Sequence, residues 1–283
     1  MIVIIFFLNL YLLSAYSLAQ IRDTLFDVPV SNHGARIRLI SRLKTIGEDL
    51  IIKNPSEVGG LKSPDYAKFS IHGKMPLLVT GDGFSVVESD SIARFLLDKY
   101  RDLPPSFIPR NIYERSLSEQ ITRVHDVYIS PIQGCMYKAP GTPFSIYGKD
   151  RKAALAELKR QLFGIENMLP SIDNCAPEGA DRTYLCGSEV SLADVTLYPT
   201  IVFCVYMLPK FFHWSLTDFL GPRLLKWYNT MSDQKEEFKQ VNAEIITVLE
   251  GWRERGRWEP ILEEIKDKAV TEAGTEGAGT TEL

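Results

Sequence analysis

Short apolar runs broken by turn residues fill the first hundred positions, and helical spacing takes over for most of the remainder. Leu25 to Val30 reads as a strand that stops at Pro29, Ser31, Asn32 and Gly34. Ala35 to Ile46 follows with Ile37, Ile40 and Leu43 on one helical face. Asp49 to Lys53 is a second strand, and a Pro/Gly-rich stretch from Asn54 to Leu61 leads to Ser63-Pro64, a helix start with proline at its first position. Met75 to Thr80 and Phe84 to Glu88 are strands joined by Gly81-Asp82-Gly83, a hairpin signal. Ser89 then caps a helix running to Tyr100, with Ile92, Phe95, Leu96 and Tyr100 on one face.

The order β-α-β, α, β-β-α resembles a thioredoxin-like layout, in which a right-handed βαβ unit sits in a sheet covered on both faces. Residues 22–101 are therefore expected to form an α/β domain of that kind. A proline-rich linker, 102–111, precedes a stretch with no strand signal. Helical patterns run from Ile112 to Tyr137, Asp150 to Ile172, Ser191 to Leu208, Pro222 to Met231 and Glu237 to Gly251, so 112–266 reads as an all-α domain. Residues 267–283, rich in Gly, Thr, Glu and Ala, carry no apolar face and read as a disordered tail.

Residues 1–20 stand apart. Ile2 to Ala19 is almost wholly apolar, and Ser17-Leu18-Ala19 before Gln20 has the small residues of a signal-peptidase site, although no Lys or Arg precedes the run. The segment reads as a cleaved or anchoring targeting sequence, with entry to the secretory pathway, an organelle route or membrane association as its consequence. Without such processing the expected location is the cytoplasm.

Composition narrows the function classes. A net charge of −4 and a pI of about 5.7 leave no excess of cations to neutralise phosphates, which argues against nucleic acid as partner. Cys135, Cys175, Cys186 and Cys204 form no CxxC and no His/Cys cluster, so no metal site is expected. In an oxidising compartment Cys175 and Cys186 are candidates for a short-loop disulfide; two unpaired buried thiols are the simpler reading.

Three segments carry chemistry. In Val28-Pro29-Val30-Ser31-Asn32-His33-Gly34, a serine leaves a strand just ahead of a helix, near backbone N–H groups and the positive end of the helix dipole. A hydroxyl there either caps the helix or donates to a bound thiolate and lowers its pKa. His33 either tunes Ser31 or faces water, the latter being the simpler reading. In Gly73-Lys74-Met75-Pro76, a proline opening a strand is the place for a cis peptide, with the Met75 backbone set to pair with an extended peptide ligand. In Val87-Glu88-Ser89-Asp90, a strand ends in a carboxylate followed by a hydroxyl at a helix start. That pair suits one ammonium and one carboxylate, or serves as a ligand-free cap.

Lys74-Met75-Pro76, Glu88-Ser89 and the spacing of Ser31, Gly34, Arg36 and Arg38 together resemble the cytosolic glutathione transferase superfamily, and within it the serine-type, tau-like pattern. The resemblance implies a two-domain transferase fold in which Ser31 activates the thiol of glutathione. By the same resemblance Lys62 and Lys74 hold the glycyl carboxylate, Met75 and Pro76 supply the backbone pairing, and Glu88 and Ser89 contact the γ-glutamyl group. Asp90 would reach toward the ligand of a partner subunit in a homodimer. A small hydrophobic electrophile is the implied second substrate, with His33, His125, Tyr128 and Tyr206 as candidate lining residues. Alternatives are a non-catalytic ligand- or protein-binding module and a glutathione-dependent isomerase, although the Ser-Ser-Cys run of the zeta class is missing. Ser70-Ile71 stands where many relatives carry Asn-Pro. Gly187 to Asp194 resembles the family's helix-start motif, with Ser191 and Asp194 at capping-box spacing.

Overall fold

The computed structural model describes residues 22–171 and 182–266. The targeting segment, Cys175 and the tail expected from the sequence lie outside the described residues. The chain divides into two units, residues 1–100 and 101–283.

In the first unit, β1 (Asp23–Phe26) leads into α1 (Asn32–Leu43), β2 (Leu50–Lys53), a 3-10 turn at Pro55–Val58 and one helical turn, α2 (Pro64–Ala67). The hairpin β3 (Leu77–Val79) and β4 (Ser85–Val87) and the helix α3 (Ser89–Lys99) complete it. The strands lie in the order β2-β1-β3-β4, with β1 parallel to β2 and the other pairs antiparallel. Leu25, Ile37, Ile40, Leu77, Leu78, Ile92 and Leu96 are fully buried. Each such side chain contributes about 1.5–3 kcal/mol of transfer free energy, so burial rather than helix propensity holds these short elements.

Polar ties close the unit. Lys99 donates to the buried Asp23 at 2.6 Å, and the buried Lys44 donates to the carbonyl of Tyr100 at 3.1 Å, supplying an acceptor at the end of α3 with its missing donor. β1 stops at Phe26 instead of reaching Val30, because Asp27 to Val30 form the turn into α1 and Pro29 has no N–H for a ladder.

The second unit contains α4 (Ile112–Val124), α5 (Arg151–Met168), α6 (Leu192–Phe212), α7 (Pro222–Gln234) and α8 (Glu236–Glu254). The single helix expected from Ile112 to Tyr137 is broken. A π-helical turn spans His125–Ile129 and a 3-10 turn spans Gln133–Met136, with Pro131 between them removing a helical donor. α6 is long and apolar enough to cross a bilayer, but 89% of that window is buried, as befits a core helix. On it Tyr198 packs edge-on to Phe238, ring centroids 4.9 Å apart, and also meets Trp227 and Tyr228.

Buried charges in this unit are fully employed. Glu166 of α5 accepts from the N–H groups of Arg223 and Leu224 at 3.0 and 2.9 Å, capping α7 from another helix. Arg151 holds the carbonyl of Lys138 at 2.9 Å, the carbonyl of Cys135 and the carboxylate of Glu264 at 2.8 Å. Cys186 is a buried free thiol whose pKa burial pushes up, as it does for Cys135 and Cys204, so these cysteines are inert at neutral pH.

Candidate functional site

Strand register assembles the site. Phe26 lies opposite Leu77, and Leu77 lies opposite Val87. The next residue outward along each strand is Asp27, Pro76 and Glu88, so segments separated by some fifty residues of chain meet at one end of the sheet.

Ser31 is the N-cap of α1. Its hydroxyl oxygen accepts from Gly34 N–H at 3.0 Å, and its carbonyl accepts from Ala35 N–H at 2.8 Å. The neighbouring His33 N–H is held by Asn32 Oδ1 at 3.1 Å. Capping uses a lone pair of the Ser31 oxygen and leaves its O–H proton available to an acceptor. The two roles considered for this serine are therefore compatible.

Beneath Ser31 lies a group that sequence reasoning missed. Asp27 is 2% exposed and forms an ion pair with Arg38, which also donates to the carbonyls of Val28 at 3.1 Å and Pro29 at 2.7 Å. One guanidinium thus fixes both the acid and the turn that carries Ser31. Burial raises the Asp27 pKa to about 6, against the opposing pull of Arg38, the Val28 N–H and the Ser31 hydroxyl. Its Oδ1 has no hydrogen-bond partner. A β-carbon at Gly34 would overlap this carboxylate, so glycine three residues after the serine is a steric requirement of the buried acid. The signal in the sequence was an acid closing an apolar strand with an arginine eleven residues on, a pattern too common to single out alone.

His33 is half-buried and reaches the start of the next long helix. Its Nδ1 lies 3.2 Å from the hydroxyl of the buried Ser89 at the start of α3, joining two helix N-termini. Glu88, the residue before α3, has φ 66° and ψ 122°, outside the left-handed well that non-glycine residues visit. Such a backbone costs about 1–3 kcal/mol and persists where surrounding structure over-determines it, often at ligand sites. The Glu88 carboxylate is exposed, while Asp90 pairs along its helix with Arg94 at 2.9 Å. That contact is an ordinary i,i+4 pair.

The Met75-Pro76 bond is cis, as the strand-opening proline predicted. Among the described residues, the Met75 N–H and C=O have no hydrogen-bond partner. The preceding carbonyl of Lys74 is pinned by the hydroxyl of the buried Tyr66 at 2.7 Å, and the Tyr66 ring packs edge-on against Phe26. Lys62 and Lys74 have exposed side chains.

In the second unit the candidate pocket residues differ in exposure. His125 is 1% exposed, with Nδ1 2.8 Å from Asp126 Oδ1 and Nε2 2.8 Å from Thr200 Oγ1. Both ring nitrogens are engaged, and the side chain is buried. Tyr206 is buried against Phe211 with Lys210 over its ring at 4.0 Å. Of these residues only Tyr128, 54% exposed, presents its side chain to a surface.

Two family models match the chain: "Glutathione S-transferase, N-terminal domain" over residues 25–105 and "Glutathione S-transferase, C-terminal domain" over residues 152–230, together more than half of its length. The chain belongs to the cytosolic glutathione transferase superfamily. It is 28% identical over 153 residues to Glutathione S-transferase F10 of Arabidopsis thaliana, covering 54% of this chain and 67% of that protein. It is 30% identical over 191 residues to Elongation factor 1-gamma 1 of Oryza sativa subsp. japonica, covering 65% of this chain and 40% of that protein. Against elongation factor 1-gamma 1 the chain therefore spans well under half of the relative's length. The Tau class glutathione S-transferase of mango, Mangifera indica, superposes with a TM-score of 0.62 at 20% identity, covering 83% of this chain and 99% of that one. The thioredoxin-like sheet unit and the helical unit described above are those of the transferase fold.

Proposed function

We propose that this chain is a glutathione transferase of the serine type, with glutathione bound at the end of the first unit's sheet. The carrying observation is Ser31: a hydroxyl seated on a helix N-terminus, with one lone pair accepting from Gly34 N–H and its proton able to donate. A thiol has a reference pKa of about 8.5, and lowering it by about two units requires roughly 2.7 kcal/mol of preference for the thiolate. A hydroxyl donor within the field of a helix N-terminus is the type of group that supplies such a preference.

The residues present fit the rest of the tripeptide. Met75 offers an unpaired backbone donor and acceptor to an extended peptide. Glu88 offers an exposed carboxylate to the γ-glutamyl ammonium, and Ser89 with the start of α3 suits the γ-glutamyl carboxylate. Lys62 and Lys74 carry the charge needed for the glycyl carboxylate. The sulfur, held as thiolate by Ser31, then attacks a small electrophilic carbon or a peroxide.

Retention on immobilised glutathione followed by a conjugation assay tests this reading. Ser31→Ala is expected to lower conjugation about a hundredfold near neutral pH, in line with a two-unit pKa change, while glutathione affinity stays nearly intact. Equal loss of both means that Ser31 positions the ligand without activating it.

A second reading has its own support in the 30% identity to an elongation factor chain. On that reading the fold serves as a binding module. Retention on glutathione with a conjugation rate no higher than in solution, in wild type and Ser31→Ala alike, selects it.

A further inference from the structure

We propose that Asp27 takes up the thiol proton of bound glutathione through the hydroxyl of Ser31, a role that rests on the reading of Ser31 given above. Three features of the buried acid point to this. Its Oδ2 is committed to Arg38, while its Oδ1 is buried without a hydrogen-bond partner. Its carboxyl lies against Gly34, whose N–H donates to Ser31 Oγ at 3.0 Å, which sets the Ser31 hydroxyl close to that carboxyl. Arg38 is tied independently to the carbonyls of Val28 and Pro29, so the cation stays in place whichever group carries the negative charge.

The transfer balances. The S–H bond breaks and its proton bonds to Ser31 Oγ, while the original Ser31 proton passes to Asp27 Oδ1. The products are a thiolate and a neutral carboxylic acid, with the serine chemically unchanged. A hydroxyl has one donor and two acceptor sites. With the thiol bound, Ser31 accepts from Gly34 N–H and the thiol and turns its proton to Asp27 Oδ1, which has no partner in the free protein. Afterwards it accepts from Gly34 N–H and the Asp27 acid and donates to the thiolate. No site is left over in either state. Burial favours the neutral acid, and the negative charge moves outward to the sulfur while Arg38 remains beside it.

The charged and titratable groups facing Asp27 are Arg38 from α1 and Tyr66 from α2, whose pKa is raised to about 12 by burial first and by the charge of the acid second. Tyr66 is therefore no competitor for the proton. His33, two residues beyond Ser31, is the alternative acceptor that the experiment must separate.

The test is a proton count on the full chain. Glutathione is titrated calorimetrically near neutral pH in buffers of different ionisation enthalpy, with the ultraviolet absorbance of the thiolate and the infrared difference spectrum recorded in parallel. Expected in wild type are thiolate formation, almost no net proton release, and a new carboxylic-acid carbonyl band. In Asp27→Asn the band is absent, and each thiolate still formed releases about one proton. Wild-type thiolate with a full proton released overturns the role of Asp27 and leaves Ser31 standing. Proton retention without the carbonyl band also overturns it and points to His33. No thiolate at all in wild type overturns the reading of Ser31 and this one with it. The wild-type count decides the matter even where Asp27→Asn fails to fold.

Discussion

Two helix starts in this chain use the same ingredients to opposite ends. At α6, Ser191 precedes a buried Asp194 whose oxygens accept from Ser191 N–H at 2.9 Å, Ser191 Oγ at 2.8 Å, Leu185 N–H at 2.9 Å and Trp227 Nε1 at 2.9 Å. At α1, Ser31 accompanies a buried Asp27 that shares one oxygen with Arg38 and leaves the other without a hydrogen bond. The first acid is saturated and its helix start is closed, even the Ala193 N–H being taken by Ser118 of α4 at 3.2 Å. The second keeps an oxygen in reserve beside a hydroxyl that still has a proton to give. Saturation makes a folding element, and incomplete satisfaction in a buried setting marks a place where a ligand or a proton is expected.

Breaking the saturated start has the largest expected effect. Asp194→Ala strands four donors and is expected to cost about 3–5 kcal/mol, read as a fall in the chemical denaturation midpoint of the second unit. A loss below about 1 kcal/mol would remove the contrast on which the comparison rests.

The unsaturated start has a distinctive pH signature. A carboxyl whose folded pKa is about 6 against a reference of 3.8 binds its proton more tightly in the folded protein. Its contribution to stability is full below about pH 4, falls as pH rises through about 6, and stays lower beyond, by at most about 3 kcal/mol. The stability difference between wild type and Asp27→Asn should therefore change across that window and level off above it. A difference independent of pH would mean that Asp27 titrates as it does in the unfolded chain.

Gly34 sharpens the same point. Gly34→Ala is expected to destabilise by about 1–2 kcal/mol because its methyl group overlaps the Asp27 carboxylate. In an Asp27→Ala background the same change should become neutral or stabilising, since alanine is the better helix former by about 1 kcal/mol. Equal effects in both backgrounds would place the steric conflict elsewhere.

The smallest effect falls on the serines themselves. Ser191→Ala and Ser31→Ala are each expected to cost about 1 kcal/mol of stability as helix-start substitutions. Only Ser31→Ala should alter thiolate absorbance when glutathione is added. A thiolate signal that survives Ser31→Ala undiminished would leave both serines as caps alone.

Much of this was legible in the chain because it is local. The order of elements, the serine ahead of α1, the cis bond at Met75-Pro76 and the Ser191–Asp194 box depend on residues within a few positions of one another. Boundaries were less legible. β1 was expected to reach Val30 and ends at Phe26, and the helix beginning at Ile112 was expected to reach Tyr137 and breaks after Val124. At β1 the turn containing Pro29 follows the strand, and after Val124 the α-helical pattern gives way to a π-helical turn that ends just before Pro131.

The sequence by itself determined which segments are strands and helices, where the candidate thiol-activating serine sits, and which family the chain resembles, since short-range periodicity and capping chemistry are written in neighbouring residues. Only the tertiary structure decided that Asp27 is buried beneath Gly34, that His33 meets Ser89 across 56 residues of chain, and that His125 is locked to Thr200 across 75. The reason is physical: strand register and burial set distances between remote residues and the cost of each charge, and neither quantity exists until the chain has packed.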